Sequence, residues 1–370
     1  MRRRDFLKRL SLLAAASTTS HLLLPSGAWA RLTPKRVLVL GGTSFLGPAL
    51  VEALLADGHK VTLFNRGVTN PELFAHLERL RGFRSPDGSD QNLSALEKRQ
   101  FDTIVDVWPN DPDEVASAAT FLKERAHHYV FVSSVGAYDH KEFVKGSIGE
   151  DAPLQPWNQT GRQYNRNKAE SERRLHEIIR DRLTIVRPGP IKGTRDTTPD
   201  LLTWLLRMQA GGEHIAPGDG RDPVQLVDVK DVASFLATAI RQSLSGVFNL
   251  TGKTMSFREF LEASKNATNS DASLTWIPQQ VLHENGLETD GELQTFAGNF
   301  PFWIPEPNSQ GLYRVSSAKA FAAGWRTRSF DATAFDCLTD FYVRQTMEPS
   351  TFLSPVKERE ILTAWNHRPA

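Results

Sequence analysis

The chain has a single cysteine, Cys337, among 370 residues. An intramolecular disulfide is therefore excluded, which suits a protein that folds in a reducing compartment. Long apolar runs are missing too. The N-terminal stretch Leu10 to Ala16, followed by Leu22-Leu23-Leu24, is too short and too broken by Ser and Thr to span a bilayer. Neither charge sign dominates, with 44 basic against 43 acidic side chains. His127 and His128 lack acidic or cysteine partners at ligand spacing, so no metal site is expected. Internal repeats and low-complexity tracts are also missing.

What is present starts at the first residues. Arg2-Arg3-Arg4-Asp5-Phe6-Leu7-Lys8 resembles a twin-arginine export signal, and Ala28-Trp29-Ala30 is an A-x-A cleavage site before Arg31. Residues 1–30 are expected to be that signal. The expected partner is the twin-arginine machinery and the expected location periplasmic or secreted. This route carries folded proteins, often with a cofactor inside, which agrees with the single cysteine. Without residues 1–30 the chain keeps 39 basic and 42 acidic side chains, a net of −3. Phosphate binding needs a basic face, so nucleic acid is not an expected partner.

From 35 to about 190, short apolar runs alternate with helical stretches. The runs are Arg36–Leu40, Lys60–Phe64, Thr103–Val107, Tyr129–Ser133 and Leu183–Arg187, with helices expected at 48–57, 71–80, 112–125 and 162–180. Continuous Val/Ile/Leu runs separated by helices indicate an α/β fold with a doubly wound parallel sheet, a Rossmann domain over 31–190. Residues 191–370 are expected to form a smaller, mixed substrate-binding lobe, with 224–250 returning to the sheet. Helices are expected at 201–210, 229–241 and 256–267, the last capped by Ser256 with Glu259 three residues on. Short strands are expected at 224–227 and 246–250, and loops should dominate 276–312.

Four features carry chemistry. The turn Gly41-Gly42-Thr43-Ser44-Phe45-Leu46-Gly47 joins a strand to a helix, as in a phosphate cradle, with Ser44 where a glycine is usual. The second strand ends Phe64-Asn65-Arg66-Gly67, with no acid for a ribose diol; Arg66 suits a 2′-phosphate, so NADP is preferred over NAD. Tyr164 and Lys168 stand four apart on one helix face, where an ammonium would lower the phenol's pKa for acid/base work. Ser133-Ser134 closes a strand at the sheet edge where open α/β folds bind ligands.

These residues resemble the short-chain dehydrogenase/reductase superfamily, in its extended branch of nucleotide-sugar epimerases and dehydratases. The matching segments are GGTSFLG, FVSSVGAY at 131–138, Glu150-Asp151-Ala152-Pro153, YNRNK at 164–168 and Arg187-Pro188-Gly189, in the family's order over roughly 35–250. GHKVTLFNRG at 58–67 is similar to an atypical sub-branch that includes chloroplast stem-loop RNA-binding proteins and isoflavone-reductase-like bacterial chains.

The resemblance implies that Tyr164 is the acid/base and that Lys168 holds the nicotinamide ribose and tunes Tyr164. It further implies that Ser134, rather than Ser133, orients substrate, and that Pro188 and Gly189 shape the nicotinamide pocket. Three departures stand out: Ser44, the segment Asp106-Val107-Trp108-Pro109-Asn110 without the branch's His-x-Ala, and the absence of a diphosphate-gripping arginine in register at 221–228. The third puts a nucleotide-sugar substrate in doubt.

The expected activity is an exported NAD(P)-dependent oxidoreductase or epimerase acting on a hydroxyl or carbonyl of a small molecule, with a sugar as one option. A non-catalytic nucleotide-bound protein and an RNA-binding protein remain alternatives, and a homodimer is an allowed assembly. The aromatic loop Asn299 to Pro305, with Trp204 and Trp108, supplies candidate substrate contacts. Cys337 reads as core, and Glu172-Arg173-Arg174 as a solvated helix face.

Overall fold

In the computed structural model, described residues are 33–84, 93–107, 111–157, 162–287, 299–305, 311–344 and 353–368. The proposed signal at 1–30 and Trp108 lie outside them.

Seven parallel strands form the main sheet: β1 (Arg36–Leu40), β2 (Lys60–Asn65), β3 (Glu78–Arg81), β4 (Phe101–Asp106), β5 (Ala126–Val132), β6 (Leu183–Pro188) and β7 (Gly246–Leu250). Their order is β7-β6-β5-β4-β1-β2-β3. Chain direction across the sheet reverses between β1 and β4. A crevice therefore opens at the carboxyl ends of these strands, where doubly wound folds hold ligands.

The alternation inside β1 shows why the strands read as unbroken apolar runs. Val37 and Val39 face Leu50, Leu54, Phe235 and Leu236, while Leu38 and Leu40 face Val115, Leu122, Leu175 and Ile179. Both faces are dry, so every position must be apolar. One face is covered by α1 (Leu46–Ala56), the other by α2 (Pro112–Leu122) and α3 (Gln163–Ile179). No described helix is long and apolar enough to cross a membrane.

The lobe is built around α4 (Asp200–Ala210) and α6 (Phe257–Thr268), with a parallel pair, Glu213–Pro217 and Ser273–Ile277. Between them in sequence, α5 (Val229–Gln242) covers the α1 face of the main sheet, and β7 follows it. The lobe has its own core, in which Trp204, Phe257, Phe260 and Phe300 meet at centroid distances of 5.6 to 6.4 Å. Ser256 and Glu259 form the expected capping box.

Three expectations need correction. Residues 71–80 are not a helix: turns at positive φ (Asn70 at 42°, Phe74 at 57°) lead into β3, which pairs with β2. Arg79 donates to the Pro71 carbonyl at 2.7 Å, and Thr62 donates to Glu78 at 3.1 Å. Residues 224–227 form only the ends of two two-residue strands outside the main sheet. The stretch from 276 begins with the end of a strand and a short helix, Gln279–Glu284, rather than loop.

Candidate active site

The crevice is a cleft of about 1510 Å³, larger than the usual range for one small ligand. Its first wall is the glycine turn. Gly41 and Gly42 hold φ of 117° and 94°, a region that disfavours side chains. A Cβ on Gly47 would lie 2.5 Å from the Gly42 carbonyl carbon, so α1 can approach the turn only with glycine there. The N-cap residue Phe45 makes no side-chain cap, and the first turn of α1 has no acid. The helix's positive end is thus open to an anion. Thr43, Ser44 and Leu46 complete this wall, with the Ser44 side chain exposed on it. These features fit a dinucleotide pyrophosphate.

At the end of β2, Asn65 ties two parts of this wall together. Its amide donates to the Gly41 carbonyl at 2.8 Å and accepts from the Gly67 N–H at 2.9 Å. Arg66 is exposed and lines the cleft beside it. Behind it Arg84 is buried in a bidentate pair with Asp106, at 2.7 and 2.9 Å, and Tyr129 donates to the same carboxylate at 2.8 Å. Sequence reasoning missed this triad, because Arg84 and Asp106 belong to different segments.

The facing wall carries Ser134, Tyr164 and Lys168, with Pro188 and Gly189 alongside. Ser134, two residues beyond β5, accepts from the Gly136 N–H at 3.1 Å; its hydroxyl also hydrogen-bonds the Tyr164 phenol. The neighbouring Ser133 is turned away, donating to buried Glu172. The Tyr164 side of α3 is open, with the residue 41% exposed. Lys168 is buried, donates to the Val132 carbonyl at 2.6 Å, and has its ammonium 5.8 Å from the Tyr164 ring centre.

The electrostatics differ from the expected tuning. Although the residue is 41% exposed, partial desolvation of its phenol raises the Tyr164 pKa against the Ser134 hydrogen bond and the Arg162 charge, which lower it. The Lys168 ammonium is engaged at Val132, and burial lowers its own pKa to about 8 despite the charges of Asp106 and Glu172. A pH dependence follows. As pH rises through about 8 the folded protein loses the Lys168 proton, while the unfolded chain keeps it to about 10.5. The charged form is therefore unfavourable to folding below 8, and this group's contribution to stability rises with pH between those values. A contact from the ammonium to a ribose weakens over the same range. Dinucleotide affinity, measured by fluorescence titration, should fall between about pH 7.5 and 9.5. Lys168→Arg should flatten that limb, since a guanidinium stays charged.

Glu172, taken from sequence as part of a solvated face, is fully buried. Only Arg173 and Arg174 of that run reach solvent. Glu172 receives Arg187 Nε at 3.0 Å and Nη2 at 2.6 Å, and Arg187 also donates to the Glu150 carbonyl at 3.0 Å and lies over the Tyr138 ring at 4.6 Å. Tyr138 donates to Asn249 on β7 at 2.7 Å. One turn beyond Lys168, this network fixes α3 to β5, β6 and β7.

The lobe supplies Lys192, Asp196, Asp200, Phe302, Ile304 and Tyr313 to the cleft. The aromatic loop 299–305 is largely buried in the lobe, and of it Pro301, Phe302 and Ile304 also reach the cleft wall, whereas Phe300 and Trp303 do not. Trp204 does not face the cleft: it is in the lobe core, donating to the Pro301 carbonyl at 2.8 Å. His128 is a core residue, hydrogen-bonded to Thr184 and the Leu244 carbonyl, with burial taking its pKa down to about 4. Burial pushes the Cys337 thiol up to about 12, as a core cysteine requires.

The chain matches the NAD dependent epimerase/dehydratase family over residues 37–251. It is 26% identical over 324 residues to the chloroplast stem-loop binding protein of 41 kDa b from Arabidopsis thaliana, covering 83% of this chain and 78% of that one. It is 22% identical over 248 residues to the decarboxylating sterol-4-alpha-carboxylate 3-dehydrogenase of Dictyostelium discoideum, covering 61% and 74%. Among solved structures, the Bordetella bronchiseptica enzyme WbmG in complex with NAD and UDP superposes with a TM-score of 0.62 at 16% identity, covering 87% of this chain and 99% of that one. That likeness shows the fold.

Proposed function

Because the chain belongs to the NAD dependent epimerase/dehydratase family, we propose that it moves a hydride between a bound dinucleotide and the carbinol carbon of a small molecule. The observation that carries this reading is the opposition of the uncapped glycine turn and the Ser134–Tyr164–Lys168 wall across one cleft. When bound, the nicotinamide supplies the carbon that takes or returns the hydride. Gly41, Gly42 and Gly47 admit the pyrophosphate, Lys168 holds the ribose, and Pro188 and Gly189 bound the nicotinamide. Ser134 orients the substrate oxygen, and the Tyr164 hydroxyl gives or accepts the alcohol proton. The Ser134 hydroxyl, hydrogen-bonded to Tyr164, opposes the effect of burial on its pKa.

The Dictyostelium relative is named a 3-dehydrogenase, and that favours redox turnover here over sugar epimerisation. Native mass spectrometry of the purified protein tests the reading, together with absorbance at the reduced-nicotinamide band on adding substrate. A co-purifying dinucleotide whose redox state no alcohol or ketone changes would leave the non-catalytic alternative standing.

NADP is the preferred cofactor, because Arg66 is exposed on the cleft and no carboxylate follows β2. Arg66→Ala should weaken NADPH binding about tenfold, the scale of one charge-assisted hydrogen bond at an exposed site. NADH binding should be unchanged, and an equal loss for both would reverse the preference.

Export by the twin-arginine route is proposed from residues 2–8 and 28–30, with the cofactor loaded before translocation. No free nicotinamide pool exists outside the cytoplasm, so the dinucleotide would be held tightly and recycled in place. Fractionation of expressing cells, with and without Arg2-Arg3 replaced by Lys-Lys, tests the route.

The stem-loop binding relative supports a second reading, RNA binding. The net charge of −3 left after residues 1–30 opposes it. A salt-sensitive gel shift with a hairpin RNA would restore it.

A further inference from the structure

We propose that the substrate half of the cleft takes a lipophilic ring alcohol or ketone and rejects nucleoside diphosphate sugars. The inference rests on the reading of Tyr164 as the reacting group and adds the class of molecule brought to it.

A diphosphate needs free cations. Among the described residues, no arginine of the lobe lines the cleft. Arg221 is 91% exposed beside Asp219, Arg258 lies 4.1 Å above the Trp276 ring, and Arg328 is held by Asp228 and Asp336. The lobe's one cation in the cleft is Lys192, which is buried and lies 3.2 Å from Asp196 and 3.0 Å from Asp200. Two carboxylates against one ammonium give this wall a net negative charge, so a diphosphate placed here meets repulsion as well as desolvation. On the other side, Arg162 is exposed ahead of Tyr164. A single solvated guanidinium does not offset that wall.

The lining is apolar instead. Ile191 and Leu312, half-buried, and Phe143, Phe302, Ile304 and Tyr313, nearly buried, line the cleft. Phe302 is the most telling, because it sits at φ 67°, a left-handed conformation that a bulky side chain rarely adopts. The surroundings force it there. Trp204 donates to the Pro301 carbonyl at 2.8 Å, and Trp303 donates to Asp222 at 2.6 Å and, from its backbone, to Phe300 at 3.1 Å. Phe260 meets the Phe302 ring edge-on at 5.4 Å, and the Lys192 ammonium lies 5.3 Å from it. Backbone strain held by several independent contacts is a mark of ligand clamps. Here it fixes Phe302, itself only 6% exposed, within the apolar wall of the cleft.

Equilibrium binding separates this inference from the catalytic reading, because no turnover is needed. Isothermal titration of the dinucleotide-loaded full chain would use two probes, 2-decalone and UDP-glucose. The expected result is measurable binding of 2-decalone and at least tenfold weaker binding of UDP-glucose. Phe302→Gly removes the ring and relieves the strained φ but leaves a cavity against Phe260, so its folding is checked by thermal denaturation before titration. It should weaken 2-decalone about tenfold while leaving dinucleotide affinity unchanged. Ile304→Ala, a second apolar truncation, should move in the same direction. The proposal is overturned if UDP-glucose binds as tightly as 2-decalone, or if both variants leave 2-decalone unaffected. Binding without any hydride transfer would overturn the Tyr164 reading and leave this one standing.

Discussion

Tyr164→Phe should lower kcat about 10²- to 10⁴-fold, the range a positioned acid/base contributes, while leaving dinucleotide affinity within about twofold. The substitution removes one oxygen from a residue already 41% exposed, so packing changes little. It also removes the hydroxyl that Ser134 meets. Stopped-flow single turnovers with the protein's own alcohol or ketone substrate read the chemical step directly. Ser134→Ala should give a smaller loss, because water can replace one hydroxyl contact while Tyr164 keeps the proton-transfer atom. Unchanged turnover in Tyr164→Phe would remove this residue from the mechanism.

Glu172→Ala should unfold the protein at a temperature lower by about 5 °C. The substitution leaves the Arg187 guanidinium buried without its carboxylate, a loss of about 3–5 kcal/mol for a broken buried pair, and each kcal/mol is worth about 1–2 °C in a chain of this size. A guanidinium stays protonated in proteins, so Arg187 will not escape the loss by giving up its proton. Glu172→Gln keeps hydrogen-bonding oxygen and nitrogen in place and should lose less. Differential scanning calorimetry decides, and a shift of under about 2 °C in Glu172→Ala would mean that water reaches Arg187.

These two residues also show what the sequence could and could not convey. Tyr164 and Lys168 were legible because four residues is one helical turn, so their proximity is set by local geometry. Glu172 lies on the same helix, four residues further on. Its partner Arg187 belongs to β6, and nothing in the run Glu172-Arg173-Arg174 distinguishes a buried acid from two half-exposed bases. The strands were legible wherever both faces are dry. β3 was not, since Glu78-Arg79-Leu80-Arg81 lies at the sheet edge and is half solvated, and its charge resembles a helix surface. Phe302 was picked out as aromatic, but its left-handed backbone depends on Trp204 and Asp222, which lie far away in sequence. The raised pKa of Tyr164 escaped a reading by spacing, because spacing gives a neighbour's charge and omits the water displaced.

The position of β7 has a consequence for how the molecule is made. The strand pairs with β6 from residue 246 onward, after most of α4 to α5 has been laid down, and α5 covers the same sheet face as α1. A nascent chain ending near 190 thus has an open β6 edge and an uncovered apolar surface, both invitations to misassociation. The seven-stranded sheet closes only through a long-range pairing, which loop-closure entropy makes slow. Folding of the nucleotide half should therefore lag behind its synthesis. A dinucleotide that binds only the closed sheet would draw the late step to completion by mass action.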